Sequence, residues 1–293
     1  MSKLINGKEF ADKLCKKIAE EVKKLKDKNI TPGLAVIRVG EDPASTVYIN
    51  MKAKKTEEVG MHSVTKILDE KTSQNDLLNI VEELNKDESI NGILVQLPLP
   101  EQINEDSVIN AINPDKDVDG LHPLNGGRLI GGTPRFLPAT PAGVQQMLQR
   151  SGFSPDGKQV AICGRSNIVG KPLAVLLMQK GNAANATVTV CHTGTSNLAE
   201  ITRRADIVIA AIGRPRMITA DMLKDGAVVI DVGINRVEDP ETKSGYRLVG
   251  DVDFGPASEK VAAITPVPGG VGPMTIACLL KNTIECFKRS QII

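Results

Sequence analysis

Tyr48 and Lys52 stand four residues apart in the stretch VYINMKAKK (47–55). In a helix, residues at i and i+4 share a face, and Val47 and Met51 are the apolar neighbours of this pair. A lysine partly desolvated beside an aromatic ring has a lowered pKa and can exchange protons near neutrality. At ~100° per residue, Lys54 and Lys55 turn from Lys52 by roughly 200° and 300°, so Lys54 points nearly opposite. On helix geometry alone two readings stand, a proton-transfer group and the edge of a solvated basic face. Gln96 ends the otherwise apolar run GILVQ. Sites of parallel sheets gather at the carboxyl ends of strands, and a buried amide must find partners, so a site role and a structural role are both open. Asp115, Asp117 and Asp119 alternate in DKDVDG. A calcium loop needs Glu at its twelfth position, which counted from Asp115 is Gly126, so calcium is not expected. His62, His122 and His192 are scattered, and no metal site is expected from them. No GxSxG and no Ser/His/Asp order is present.

A second constellation is CGRSNIVGKP (163–172), which follows a β-branched run and opens a helical one. Backbone N–H groups at such a helix start favour a pyrophosphate. Gly164 and Gly170 are six apart and Ser166 replaces the middle glycine of the usual fingerprint, so a plain tight turn is the competing reading. NAD-binding folds usually end the second strand on an acidic residue that holds the ribose 2′-OH. Here that strand ends TVCHTGTS, without a carboxylate. Arg165 in the loop and Thr193 after the strand favour NADP, with NAD as the alternative, against a bland reading of Arg165 as a surface cation.

The elements that must hold these groups are legible from periodicity. Phe10, Leu14, Ile18, Val22 and Leu25 recur at helical steps across 8–28. GLAVIRVG reads as a buried strand. Asp42 as N-cap and Pro43 then start a helix that runs to Val59 and stops at Gly60. HSVTKIL is a strand, 73–86 a helix, and 90–100 a third strand, which gives a parallel α/β sheet. Residues 113–141 are rich in Gly, Pro and Asp without a period, and read as an active-site loop plus domain boundary. AGVQQMLQRSG is helical. A second α/β unit begins at 157, continues through ATVTVCHT, ADIVIAAIG and GAVVIDVGIN with a short helix before each of the last two, turns a hairpin at Asp239–Gly245, and ends before a helix over 274–289.

The chain has 293 residues, 41% apolar, with 36 basic and 35 acidic residues for a net charge of +1. That balance gives no field for nucleic acid or an anionic membrane, and 2% aromatics supply no base-stacking platform. Five cysteines form no CxxC pair and read as reduced core thiols of a reducing compartment. No apolar run reaches ~20 residues. The opening MSKLINGKEFADKL lacks the character of a signal or transit peptide, so the expectation is a cytoplasmic protein.

Taken together, VGEDPASTVYINMKAKKTEEVG, GILVQLPLP, PDKDVDG, TPAG, GRSNIVGKP, DVGIN, VGDV and ITPVPGGVGPMT resemble the bifunctional methylenetetrahydrofolate dehydrogenase/cyclohydrolase family of FolD type, in that family's order and over nearly the whole chain. The resemblance implies two α/β domains flanking a cleft: a folate-binding catalytic domain over 1–140, joined by the C-terminal helix 273–293, and a Rossmann-type NAD(P)-binding domain over 141–272. It implies oxidation of 5,10-methylenetetrahydrofolate with NADP and hydrolysis of the methenyl product to 10-formyltetrahydrofolate, one-carbon chemistry that feeds purine biosynthesis. Lys52 matches the catalytic lysine, Gln96 the amide that tunes it, Tyr48 the ring that stacks on the folate, and Asp119 the carboxylate that holds the pterin. Pro268, Gly270, Gly272 and Pro273 match the folate-lining loop. Gly164, Arg165, Ser166, Ile168, Thr193 and Ile234 match cofactor-binding positions. The resemblance further implies a homodimer whose partners are tetrahydrofolate derivatives, with no nucleic acid and no membrane. Ala139 stands where the family often has Cys, and Gly194 where it often has Lys or Arg.

Overall fold

The computed structural model describes residues 2–41, 43–242 and 245–291. The expected Asp42 cap and the Val47 side chain lie outside them. The chain forms two compact units. One comprises 12–139 and 276–293, the other 1–11 and 140–275.

The first unit is built on a three-stranded parallel sheet in the order His62–Leu68, Gly33–Val39, Gly92–Val95. All seven residues of the central strand, Arg38 included, and all four of Gly92–Val95 are buried, as expected for mostly apolar strands with both faces covered. The third strand is shorter than the run 90–100 and ends one residue before Gln96, whose N–H still pairs with the Ile37 carbonyl at 2.8 Å. Helices Pro43–Glu58 and Gln74–Lys86 connect the strands. Ser73 caps the second of these, its hydroxyl accepting from Asp76 N at 3.2 Å. At the other end Lys116 Nζ donates to the carbonyls of Leu84, Asn85 and Asp87 at 2.8–3.0 Å, a cation satisfying free carbonyls at the negative helix terminus.

The aperiodic stretch 113–141 is more ordered than its composition suggests. Ile93 and Asp117 form a parallel bridge beside the third strand, and a helix spans Pro123–Ile130. A short helix, Glu105–Ala111, precedes the stretch, with Asn104 as its cap.

The second unit carries a six-stranded, all-parallel sheet. Its order is Lys3–Leu4, Ala263–Ile264, Val228–Asp231, Ile207–Ala210, Gln159–Cys163, Thr187–Cys191. The chain's start thus pairs in this sheet, whereas the sequence placed all of 1–140 in the other domain. Helices Gly170–Met178 and Leu198–Arg204 follow the strands at 159 and 187. Only a 3₁₀ turn, Ala220–Met222, precedes Val228–Asp231 where a helix was expected, and a further helix forms at Phe254–Lys260. The expected hairpin is present, with Asn235–Glu238 antiparallel to Tyr246–Val249. The last helix runs Val271–Ser290.

Candidate functional site

In the first unit, Lys52 is only 8% exposed although it is a lysine near the middle of a surface-connected helix. Its Nζ donates to Gln96 Oε1 at 2.8 Å. The Gln96 Nε2 donates to the Leu97 carbonyl at 2.8 Å, which fixes the amide so that its oxygen faces the lysine. Burial pulls the Lys52 amine below the ordinary lysine range, and the negative charge of Asp119 opposes this only in part. Burial likewise pushes the Asp119 carboxyl up, with Lys52 drawing it down and Asp117 adding to the rise. An amine whose charged form is disfavoured by burial is therefore held by a neutral amide and interacts with a nearby carboxyl group.

The neighbouring lysines behave differently. The Lys54 side chain is 80% exposed and pairs loosely with Glu58 at 4.0 Å, and Lys55 meets Glu58 at 2.7 Å. Met51, expected beside the buried face, is 43% exposed and belongs to the solvent side. Tyr48 is partly buried, and burial raises its phenol above the usual range.

Asp119 owes its position to its neighbours. The buried Asp117 carboxylate accepts from Leu121 N, His122 N and Asn125 Nδ2 at 2.8–3.1 Å, which turns the chain just past Asp119. Asn282, from the C-terminal helix, donates to the Val118 and Leu137 carbonyls at 2.9 and 2.8 Å. Asp115 pairs with Arg135 at 2.6 Å. The alternating aspartates thus divide into one ion pair, one backbone clamp and one site carboxyl, and no metal-holding group of three or more His, Cys, Asp or Glu is found among the described residues.

In the second unit a cavity of about 590 Å³ opens over the carboxyl ends of three adjacent strands. Gly164, Arg165 and Ser166 line it from the first, His192, Thr193 and Thr195 from the second, and Ala211, Ile212 and Arg214 from the third. Gly164 has φ +136°, and a Cβ there would lie 2.1 Å from the Ala211 carbonyl oxygen. A Cβ on Gly170 would meet the Gly164 carbonyl at 2.0 Å. Both glycines are therefore required for the loop to close onto the helix start. Ser166 Oγ accepts from Val169 N at 3.1 Å and supports the same turn. Of the expected cofactor residues, Ile168 and Ile234 do not line this cavity.

Sequence reasoning missed three contributors. Arg214 lines the cavity, and like Arg165 its guanidinium makes no hydrogen bond or ion pair among the described residues. Asp251 is fully buried and accepts from Ile212 N, Gly213 N and Arg214 N at 2.5, 2.9 and 3.0 Å, which pins the loop carrying Arg214. His192 Nδ1 accepts from Gly194 N at 3.0 Å, an intraloop bond made where the family often carries a cation. The signal for Arg214 was its place one step past the strand ADIVIAAIG; Asp251 had none beyond its motif VGDV.

Pro268 and Gly270 lie between the strand Ala263–Ile264 and the last helix, and Gly272 and Pro273 fall in that helix's first turn. Gly270 is buried, and a Cβ on it would stand 2.4 Å from the Pro266 carbonyl.

Two family models match the chain. Residues 5–119 fit the tetrahydrofolate dehydrogenase/cyclohydrolase catalytic domain and 138–291 the NAD(P)-binding domain of the same family. The chain is 53% identical over 287 residues to the bifunctional protein FolD of Acetivibrio thermocellus, covering 98% of this chain and 97% of that protein. Among solved structures it is similar to the bifunctional FolD enzyme of Campylobacter jejuni at 47% identity and a TM-score of 0.92, covering 99% and 100% of the two chains. The Trypanosoma brucei dehydrogenase-cyclohydrolase, complexed with NADP cofactor and inhibitor, aligns at 41% identity and a TM-score of 0.95 over 100% and 99%.

Proposed function

The chain belongs to the tetrahydrofolate dehydrogenase/cyclohydrolase family, and from that premise we propose that it oxidises 5,10-methylenetetrahydrofolate to the 5,10-methenyl form with NADP, then hydrolyses that product to 10-formyltetrahydrofolate. The observation that carries the second activity is the hydrogen bond from the buried Lys52 to the partly buried Gln96. A dehydrogenase alone needs alignment more than acid–base help, because the two nitrogens flanking the methylene carbon stabilise the cation left behind. Hydrolysis of the methenyl cation is different. A base must take a proton from the attacking water, and an acid must protonate the departing nitrogen. Lys52 serves both steps at its Nζ, as base when neutral and as acid once charged. Gln96 holds that nitrogen without adding a charge that would lock it as ammonium. A cationic product beside Nζ disfavours the ammonium further. Asp119 offers two acceptor oxygens to the adjacent N–H donors of a pterin, and Tyr48 offers a ring face to the folate.

The cavity of the second unit fits a dinucleotide. Its glycines allow close backbone approach at a helix start, no carboxylate is among its described lining residues, and the guanidinium groups of Arg165 and Arg214 are cations without a partner among the described residues. NADP, when bound, supplies the hydride acceptor. Arg165, Arg214 and Thr193 would hold its phosphates, and the missing ribose carboxylate removes the repulsion that a 2′-phosphate would meet in an NAD-type site. The same reading makes the protein a cytoplasmic homodimer without nucleic-acid partners; no described helix is long and apolar enough to cross a membrane.

The deciding experiment follows NADPH and the methenyl species together after adding 5,10-methylenetetrahydrofolate and NADP to the purified protein. The expected result is NADPH rising without lasting methenyl. Lasting methenyl would leave a dehydrogenase alone and remove the role given to Lys52; silence in both signals would call for NAD in NADP's place, and silence with NAD as well would point to another substrate class.

A further inference from the structure

Neither reaction uses Cys163 or Cys191, yet these two thiols are placed together. They end adjacent parallel strands and stand in register with one another. Register partners on neighbouring strands point to the same face of the sheet. That face is identified by what packs there: both cysteines belong to the core cluster on which Leu198 and Ile212 rest, and those two residues also line the 590 Å³ cavity together with both cysteines. The thiols therefore form part of the cavity floor, each 1% exposed. The interaction of the two neighbouring thiols pushes Cys163 up and draws Cys191 down. Both are free thiols, and Cys15, Cys278 and Cys286 are buried elsewhere.

We propose that Cys163 and Cys191 form a dithiol site in the floor of the dinucleotide cavity that captures a trivalent organoarsenical and, while occupied, excludes the cofactor. The exclusion rests on the cofactor reading given above; the capture does not. In the reaction each sulfur forms one As–S bond. The arsenoxide oxygen leaves as water with the two thiol protons, and arsenic stays trivalent, so no oxidant or reductant is needed. The register matters because one As–S bond is readily reversed by water, whereas closure by a second sulfur held alongside is effectively intramolecular.

The test uses the reduced full-length protein and phenylarsine oxide. Intact-mass measurement is expected to show a single adduct, equal to the reagent less one water, reversed by excess 2,3-dimercaptopropanol. Arsenic-edge X-ray absorption on the wild-type adduct is expected to show two sulfur neighbours per arsenic, a readout that needs no variant to fold. Cys163→Ala and Cys191→Ala should each abolish the stable adduct. With NADP at about 100 times its Kd, adduct formation should slow about 100-fold, since only the unliganded fraction reacts. No adduct, one sulfur per arsenic, or an adduct that persists in both alanine variants would overturn the site. A two-sulfur adduct whose rate ignores bound NADP would overturn its place in the cofactor cavity. If the untreated protein fails to bind NADP in a direct titration, the cofactor reading and the exclusion fall together, while mass and absorption still decide the capture.

Discussion

A lysine reads as chemical only when something removes it from water, and Lys52 is removed while Lys54 and Lys55, two and three positions on, are paired with Glu58 at the surface. Burial outweighs the attraction of Asp119, so the net shift of Lys52 is downward. In the unfolded chain a lysine titrates near ~10.4. The folded protein thus binds fewer protons than the unfolded one between its lowered pKa and that value, and stability rises with pH across the window. Lys52→Met should flatten that rise in a urea-midpoint series and abolish cyclohydrolase turnover while the protein still folds; retained turnover would sink the assignment. Gln96→Glu tests the amide separately. It places a carboxylate where the Gln oxygen now accepts at 2.8 Å. That favours the ammonium, so the rising limb of the cyclohydrolase pH profile should move up by about one unit or more. An unmoved limb would mean that a different group titrates in the profile.

At the scale of elements, Asp119 and the residues of the glycine loop depend on turns that secondary structure alone does not secure. The loop from Gly164 to Gly170 closes only because two Cβ atoms are missing. Gly164→Ala must shift the Ala211 carbonyl or abandon φ +136°, and is expected to cost about 2 kcal/mol or more of stability and about tenfold in NADP affinity, read by denaturation and fluorescence titration. Asp117→Ala removes the acceptor of three hydrogen bonds in a buried site. The expected loss is about 3 kcal/mol, with a raised folate KM because the turn beyond Asp119 is released; an unchanged KM would separate Asp119 from that turn. These cases also show what the sequence could convey. The Tyr48–Lys52 face, the parallel strands and the glycine loop follow from local spacing and were readable. The helix Pro123–Ile130 was not, because its interior carries Gly126 and Gly127 and its seat depends on Asp117 and Asn125 meeting in the fold. The pairing of Lys3–Leu4 with Ala263–Ile264 leaves no local trace in a strand of two residues.

At the scale of the molecule, the two units differ in how they keep their ends in order. The first relies on side chains of its C-terminal helix, as with Asn282, whereas the second converges on a pair of buried carboxylates, Asp231 and Asp251. Asp231 accepts from Gly233 N and Asp251 N at 3.0 Å and from Val252 N at 2.9 Å. Asp251 takes the three amides of the Arg214 loop and Asn235 Nδ2. Strand end, cofactor loop and hairpin base therefore share one electrostatic hub. Burial, with Asp251 adding to it against the backbone donors, pushes Asp231 up to about 7. An unfolded aspartate titrates near ~3.9. Between these values the folded protein holds a proton that the unfolded chain has released, so this stabilisation is complete below ~4 and is lost as pH rises toward 7, at up to about 1.4 kcal/mol per pH unit. Asp231→Asn removes the titration while keeping one acceptor oxygen. The difference in urea stability, wild type minus variant, should decline from pH 5 to pH 7 and level off above it. Amide exchange at Ile212–Arg214 in the wild type should quicken beyond its intrinsic pH dependence over the same interval, because the second charge in the hub weakens the clamp that Asp251 provides. A difference that stays level across the range would show that Asp231 is already ionised at pH 5, and that the backbone donors outweigh its burial.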